Sequence, residues 1–244
     1  MHIDIELLPF PPAPHLLLNR TVIVIDVLRA TSVMVQALFQ GAIEIIPVTT
    51  VEEAFGKVKE FSVGTTLLGG ERGSIRIEGF DLGNSPREYV ADVVKGKRLI
   101  LTTTNGTRAF HSVSSGIEIL VGCFFNVSAL AKKCLQAGRD ILLYPSGDHG
   151  RFSLEDTVCA GMVIDQISKD SQDRVELTDA SRAARFLYEP FKANLVEPLE
   201  MSDHGRELIA LGLKEDLEYC AQTEIINLVP TFRAGVITIP DKTA

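Results

Sequence analysis

The sequence predicts an α/β fold organised around a mainly parallel sheet, and three observations lead to this class. Short apolar runs recur along the chain, a polar turn follows most of them, and apolar residues at helical spacing come next. Strands that alternate with helices favour parallel pairing through right-handed crossovers. We treat 1–244 as a single domain, with two fused lobes divided near residue 115 as the alternative.

The composition narrows the classes of partner. Hydrophobic residues make up 45% and charged residues 23% of the chain, as in soluble globular proteins. The net charge of -8 argues against a nucleic-acid-binding surface. No apolar run is long enough to span a bilayer, and the first residues lack a signal-peptide pattern. We expect a cytoplasmic protein with no nucleic-acid or membrane partner, and free thiols at its four cysteines.

The first strand-turn-helix segment carries the strongest functional signal. The β-branched run 22–25 is typical of a strand buried on both faces, and it ends at Asp26. Arg29 and Thr31 then lead into a helix, at the edge where α/β sheets bind ligands. A carboxylate there can hold a metal ion, while a guanidinium can hold a phosphate. From this segment alone, an Asp26–Arg29 pair with Thr31 or Ser32 as helix cap is an equally good interpretation.

The remaining elements follow from apolar periodicity, with glycine and proline marking the turns. Further strands are expected at 3–8, 43–48, 66–69, 98–101, 117–121 and 140–144, with final edge strands at 225–228 and 235–239. Further helices are expected at 51–61, 127–137 and 157–168, with mostly helical structure over 179–218.

The segment 69–88 interrupts this alternation with five glycines and a dense set of charged and polar residues. Loops of this length in a compact domain are usually functional. Its apolar residues need burial, so we favour an ordered site loop over a surface connector. Glu71, Arg72, Asp81, Asn84 and Ser85 are its candidate site residues.

Two later turns repeat the pattern of a strand followed by polar residues. Four threonines fall within the six residues 102–107, more than a simple helix cap requires, and hydroxyls with backbone N–H groups can surround an oxyanion. Glu155 and Asp156 open the helix that follows the strand 140–144, although the helix dipole alone also favours acids there. Asp-His-Gly-Arg occurs at 148–151 and again at 203–206, which we interpret as coincidence because the flanks differ.

Taken together, these motifs resemble the 2-phosphosulfolactate phosphatase family. They occur in family order at 26–31 (DVLRAT), 70–73 (GERG), 79–86 (GFDLGNSP), 103–107 (TTNGT) and 153–156 (SLED), followed by 159–161 (CAG). The resemblance implies a three-layer α/β/α-like architecture of the family's own type, with a mainly parallel or mixed sheet. It also implies a Mg²⁺-dependent phosphatase that converts 2-phospho-3-sulfolactate to 3-sulfolactate, a step towards coenzyme M. Leu28 and the Asp-His-Gly segments do not fit the haloacid dehalogenase and histidine phosphatase patterns.

The candidate site residues follow from the motifs and the resemblance together. The expected Mg²⁺ ligands come from Asp26, Glu71, Asp81, Glu155 and Asp156, because hard oxygen ligands suit this ion. The catalytic set is Asp26, Arg29, Glu71, Asp81 and Glu155, and Arg29 and Arg72 are expected to contact substrate anions. The other expected substrate contacts are neutral: Thr31, Asn84, Ser85, Thr103, Thr104, Asn105, Gly106 and Thr107.

Several alternatives stay open at the level of the sequence. Asp26 either attacks phosphorus itself or binds the metal while water attacks, and we favour the second route. The leaving group takes its proton from Asp81, Glu155 or His204. The substrate is alternatively another small phosphorylated, sulfonated or carboxylated metabolite, and a non-catalytic phospho-metabolite-binding protein is the rival class. A homo-oligomer is compatible with the sequence.

Overall fold

The computed structural model describes residues 1–240, which form eleven strands and eleven α-helices. The strands are β1 (His2–Ile5), β2 (Arg20–Ile25), β3 (Glu44–Pro47), β4 (Thr66–Arg72), β5 (Ile75–Arg76), β6 (Arg98–Thr102), β7 (Glu118–Gly122), β8 (Asp140–Pro145), β9 (Glu176–Leu177), β10 (Thr231–Arg233) and β11 (Val236–Thr238). The helices are α1 (Pro14–Leu17), α2 (Ala30–Phe39), α3 (Val51–Lys57), α4 (Ala91–Val94), α5 (Gly106–Ser112), α6 (Val127–Ala137), α7 (Leu154–Asp170), α8 (Asp179–Tyr188), α9 (Val196–Met201), α10 (Asp203–Ala210) and α11 (Lys214–Cys220).

All the strands belong to one mixed sheet with the order β5-β4-β6-β3-β11-β10-β7-β2-β8-β1-β9. Strands β4, β6 and β3 form one parallel group, and β7, β2, β8, β1 and β9 form another. The β10–β11 hairpin joins the two groups and is antiparallel to its neighbours β7 and β3. The expected α/β fold with a mainly parallel or mixed sheet is therefore confirmed.

The two faces of β2 explain its unbroken apolar run. Val22 and Val24 pack into the hydrophobic cluster that includes α2, whereas Ile23 and Ile25 pack into the cluster that includes α7. All four side chains have no solvent exposure, as expected for a strand covered on both faces. Helices on both sides of the sheet produce the three layers.

The sheet curls strongly, and this curvature positions the site. β2 and β6 lie five positions apart in the sheet, which in a flat sheet would separate them by about 24 Å. Gly106 follows the end of β6 by four residues, which span at most about 14 Å. Yet a Cβ atom on Gly106 would lie 2.5 Å from Oδ2 of Asp26, the residue after β2. The curl therefore brings the ends of both parallel groups to one place.

The C-terminal strands differ from the prediction. Residues 225–228 are not a strand, and the β10–β11 hairpin lies in the middle of the sheet instead of at its edge. A short hairpin has the same local pattern in either position, and its pairing with the distant β3 and β7 is set by the tertiary fold. In addition, β4 extends through Arg72, so Glu71 and Arg72 lie on a strand and not in a loop.

Three further features bear on the sequence analysis. β2 pairs with both β7 and β8, so a boundary near residue 115 would divide paired strands; a single domain stays our prediction.

The four cysteines are free and buried, which confirms the expected thiols. Within residues 1–240, none of the helices combines the length and the apolar character needed to cross a membrane.

We predict that Gly161→Ala destabilises the fold, because α7 and α8 approach closely at this position. A Cβ atom there would lie 2.2 Å from the carbonyl oxygen of Ala184 and 2.8 Å from Cβ of Tyr188. Overpacking of this kind lowers the free energy of unfolding by about 1–3 kcal/mol. Urea denaturation measures the change.

Gly56→Ala is the matched control, since Gly56 also lies in a helix but has open space around it. Alanine there should raise the free energy of unfolding by about 0.5–1 kcal/mol through helix propensity. An equal gain for Gly161→Ala would contradict the close packing of α7 on α8.

Candidate functional site

A narrow pocket of about 20 Å³, here called the central pocket, lies where the carboxyl ends of the parallel strands meet. Its walls come from the segments after β2, β4, β6 and β8 and from α10. The lining residues are Asp26, Leu28, Glu71, Gly73, Ser74, Asn84, Thr103, Thr104, Asn105, Asp148, His149, His204 and Glu207. The structure thus brings together residues from six separate segments of the chain at the expected edge of the sheet.

Asp26 is held in place by its own turn. Its carboxylate accepts a hydrogen bond from Ala30 N at 3.1 Å. The Thr31 hydroxyl accepts from Asp26 N at 3.0 Å and donates to Asp26 O at 2.8 Å. Thr31, expected to bind substrate, therefore serves to close the turn, and it is fully buried.

Glu71 connects the ends of β4 and β6. One carboxylate oxygen accepts from Thr104 N at 2.7 Å, and the other accepts from Ser74 N at 2.9 Å and from the Thr104 hydroxyl at 3.2 Å. Three donors fix the side chain without neutralising it. Its charge therefore remains directed at the central pocket.

The threonine-rich turn after β6 is largely occupied by internal hydrogen bonds. Thr103 and Thr107 bond each other's backbone N–H groups reciprocally, at 3.1 and 3.2 Å. The Thr102 hydroxyl accepts from Arg72, and Asn105 bonds Asp148 and His149 N. These contacts explain the number of threonines. Thr103, Thr104 and Asn105 still line the pocket, whereas Thr107 and Gly106 shape the turn behind it.

Glu155 and Asp156 open α7 and have different surroundings. Asp156 is fully engaged, because one oxygen accepts from Val27 N at 2.8 Å and the other from the Ser146 hydroxyl at 3.2 Å. Glu155 is also buried, and its nearest ionic neighbour is Nδ1 of His204 at 4.0 Å. Asp156 is thus tied to the backbone after β2, while Glu155 remains available to a ligand.

Burial and neighbouring charges raise the pKa of three acids at the site. Burial is the largest cause for Asp26, Glu155 and Asp156, and each also feels the charge of a neighbouring carboxylate. The pKa of Asp156 lies well above its ordinary value because the side chain is buried and because Glu155 and Asp26 both repel its charge. In the absence of a cation, this cluster favours protonation.

The two arginines expected to contact substrate anions are held in internal contacts. Arg29 pairs with Asp216 at 2.6 Å and donates to Ser74 O at 3.0 Å, and both members of the ion pair are buried. Ser85, another expected contact, donates to the same Asp216 at 2.6 Å. Arg72 donates to Glu71 O, Thr49 O and the Thr102 hydroxyl. Arg29, Arg72 and Ser85 are therefore held by protein partners, and none of them lines the central pocket.

Asp81 and Asn84, from the same segment, lie in different places in the folded chain. Asp81 is exposed, accepts a hydrogen bond from Leu68 N at 2.8 Å and does not line the central pocket. This hydrogen bond fixes the segment beside β4. Asn84 lines the pocket, and its buried Oδ1 has no hydrogen-bond partner among residues 1–240.

Several pocket residues were not selected from the sequence. The Ser74 hydroxyl donates to Glu207 at 3.0 Å and lies 3.4 Å from Nε2 of His204. Asp148 and His149 come from the first Asp-His-Gly-Arg segment and His204 from the second, so both copies reach the pocket. Asp148 and His149 were not selected from the sequence, whereas His204 was already a candidate proton donor; the repeated segment was the available signal for the first two.

No ready-made metal site is present in the part of the chain that the structure describes: no three His, Cys, Asp or Glu side chains there converge as ligands. The residues nevertheless suit a hard divalent cation. Asp26, Glu71 and the unpartnered Asn84 Oδ1 present oxygen atoms to the same pocket.

The fold and site together define an α/β protein with an acidic pocket at the carboxyl ends of its strands, a location typical of enzymes that act on small polar metabolites. Residues 11–235 match the family described as 2-phosphosulpholactate phosphatase. The chain belongs to this family, and the resemblance seen in its motifs is confirmed.

Similar proteins carry the same description over nearly their whole length. A probable 2-phosphosulfolactate phosphatase of Clostridium acetobutylicum is 43% identical over 219 residues, covering 90% of this chain and 92% of the relative. Its counterpart in Caldanaerobacter subterraneus subsp. tengcongensis is 44% identical, with 90% of each chain covered. The one from Clostridium tetani is 40% identical over 97% of this chain and 100% of its own.

The raised pKa of Asp156 predicts how the stability of the metal-free protein depends on pH. The unfolded chain releases this proton near an ordinary pKa of about 3.9, while the folded protein retains it to higher pH. The contribution of Asp156 to stability is therefore present below that unfolded pKa and is lost as pH rises through the folded pKa. Asp156→Asn keeps the polar contacts and removes the charge.

We expect the variant to gain stability relative to the wild type as pH rises, by up to about 1.4 kcal/mol per pH unit between the two pKa values. Urea denaturation in chelator, from about pH 5 to about pH 8, measures the difference. A difference that stays constant with pH would contradict the crowding of Asp156 by its neighbours.

The buried Arg29–Asp216 pair predicts a second stability effect. Asp216→Asn leaves the guanidinium buried without its counter-charge and should lower the free energy of unfolding by about 3–5 kcal/mol. Glu215→Gln is the control, because its ion pair with Arg87 is exposed and should cost less than about 0.5 kcal/mol. Similar losses of unfolding free energy for both variants would contradict a larger contribution of the buried ion pair to stability.

Proposed function

We propose that this protein is a divalent-cation-dependent phosphatase that hydrolyses 2-phospho-3-sulfolactate to 3-sulfolactate and phosphate. One observation supports the cation most directly. Four carboxylates line the central pocket, from Asp26, Glu71, Asp148 and Glu207, and no lysine or arginine among residues 1–240 does so. A phosphate dianion would be repelled from this pocket unless a cation accompanied it.

The cation that best fits the carboxylates and the Asn84 amide oxygen of the pocket is Mg²⁺, because it prefers oxygen ligands. We assign Asp26, Glu71 and Glu155 as ligands, with Asn84 Oδ1 as a neutral oxygen beside them. Asp156 is a positioning residue, since its hydrogen bond to Val27 N fixes the backbone next to Asp26. When bound, the cation supplies charge neutralisation at the transferred phosphoryl group.

The protein's own groups provide orientation and a proton. Thr104 and Ser74 hold Glu71 in place through their backbone N–H groups. His204 lines the pocket 4.0 Å from Glu155 and 3.4 Å from the Ser74 hydroxyl. An imidazole in this position can donate a proton to the leaving alkoxide, a role that general acids fill in phosphate ester hydrolysis. We prefer His204 to Asp81 for this step because Asp81 lies outside the pocket.

The identity of the substrate rests on family membership and on the relatives' names. Another small phosphorylated hydroxy acid is the nearest alternative, and a step towards coenzyme M is the metabolic place that we propose. A non-catalytic binding protein would have little use for buried acids around an anionic ligand. We keep the cytoplasm as the expected location.

We predict that exhaustive chelation abolishes phosphate release from 2-phospho-3-sulfolactate and that added Mg²⁺ restores it. Asp26→Asn should lower kcat by at least about 100-fold, because it removes a charged ligand of the cation that neutralises the reacting phosphoryl group. The measurement is phosphate release from a panel of small phosphoesters, with and without Mg²⁺.

Asp81→Asn is the matched control. It makes the same change at another carboxylate of the family motifs, and Asp81 lies outside the central pocket. It should keep kcat within about twofold of the wild type. Activity that persists in chelator and is indifferent to added metal would contradict the cation. Binding of these esters without any turnover would favour the rival class.

A further inference from the structure

Two larger cavities adjoin the central pocket, each of about 240 Å³. The first, here called the α5 pocket, shares Thr104, Asn105 and His149 with the central pocket. The second, here called the α7 pocket, shares Asp148 and His204 with it. Since the central pocket is narrow, a three-carbon substrate whose phosphoryl group lies there must extend its carbon frame into one of them.

The two adjoining pockets have opposite electrostatic character. The α7 pocket is lined by Asp148, Glu155 and Asp203 and has no arginine or lysine among the described residues. The α5 pocket is lined by Arg108 and has no carboxylate in the same part of the chain. A second anionic group on the substrate would be repelled by the α7 pocket and attracted by the α5 pocket.

We infer that the α5 pocket binds the second anionic group of the substrate, a sulfonate or a carboxylate, and that Arg108 determines this specificity. This inference rests on the proposed function, because it assumes that a phosphate ester occupies the central pocket. Arg108 would then bind an anionic group that Arg29 and Arg72 were expected to bind, since both of those arginines are engaged internally.

Arg108 is free for this role. It lies on α5 two residues after Gly106, and its guanidinium forms no hydrogen bond or ion pair with any residue of 1–240. By contrast, Arg151 near the same pocket pairs with Asp148. A guanidinium presents a planar fork of donors that matches two oxygens of a carboxylate or a sulfonate.

The test compares three phosphate esters. 2-Phospho-3-sulfolactate carries both anionic groups, 2-phospholactate lacks the sulfonate, and 2-(phosphooxy)ethanesulfonate lacks the carboxylate. For Arg108→Gln we expect kcat/KM on the first ester to fall about tenfold, mainly through KM, since a charge-assisted hydrogen bond is lost. The ester that lacks the group bound by Arg108 should be unaffected, so the selectivity for 2-phospho-3-sulfolactate over that ester should fall by the same factor. The ester that is unaffected therefore shows whether Arg108 binds the sulfonate or the carboxylate.

Arg233→Gln is the matched control, because Arg233 is exposed on β10, away from all three pockets. It should leave the selectivity between the esters at the wild-type value. Arg108→Lys keeps the charge without the fork and should recover part of the selectivity. An equal fall on all three esters, or no fall on any, would overturn the inference while leaving the phosphatase activity intact.

A binding measurement separates this inference from the proposed function. If the wild type hydrolyses none of the esters, the proposed function has failed, and calorimetric titration with 3-sulfolactate then tests the α5 pocket alone. Binding that weakens about tenfold in Arg108→Gln and not in Arg233→Gln supports the inference. Equal affinities for the wild type and Arg108→Gln, or no binding to either, overturn it.

Discussion

The crowding of buried carboxylates at one edge of the sheet is the constraint on which the site depends. Asp26, Glu155 and Asp156 are each almost fully buried, and burial together with a neighbouring carboxylate raises the pKa of each. Burying a charge is costly unless hydrogen bonds or a counter-ion compensate it. The surrounding backbone supplies part of that compensation, since Ala30 N bonds Asp26 and Val27 N bonds Asp156. The carboxylates that the backbone leaves uncompensated are the basis of the proposed cation site.

The position of the positive charges follows from a second buried interaction. Arg29 could neutralise Asp26, three residues before it, but it pairs instead with Asp216 at the start of α11. Ser74 accepts from Arg29 through its carbonyl group and contacts α10 through its hydroxyl, so the same network ties the C-terminal helices to the pocket. Arg29 therefore holds the site together, and the acids around Asp26 are left without this guanidinium as a counter-charge.

The sequence predicted the ends of β2, β6, β7 and β8 to within one residue because their signals are local. The run 22–25 led to Asp26 and the turn after β6 to Thr103 and Thr104 in the central pocket, and the cap of α7 led to Glu155 in the adjoining α7 pocket. The partners of polar side chains are set by tertiary contacts and could not be predicted in this way. Arg29 meets a residue 187 positions later, and Ser74 meets Glu207 133 positions later. Asp81 likewise bonds Leu68 N, 13 positions earlier, and does not line the central pocket.

The same electrostatic pattern gives the proposed site a way to orient its substrate. In this arrangement the acids of the central pocket attract the cation, and the cation attracts the phosphate. The acids of the α7 pocket then exclude the substrate's second anion from one side, while Arg108 accepts it on the other. Repulsion from the wrong pocket contributes to specificity as much as attraction to the right one. A pocket lined with arginines would bind phosphate more simply, but it would accept a polyanionic substrate in either orientation.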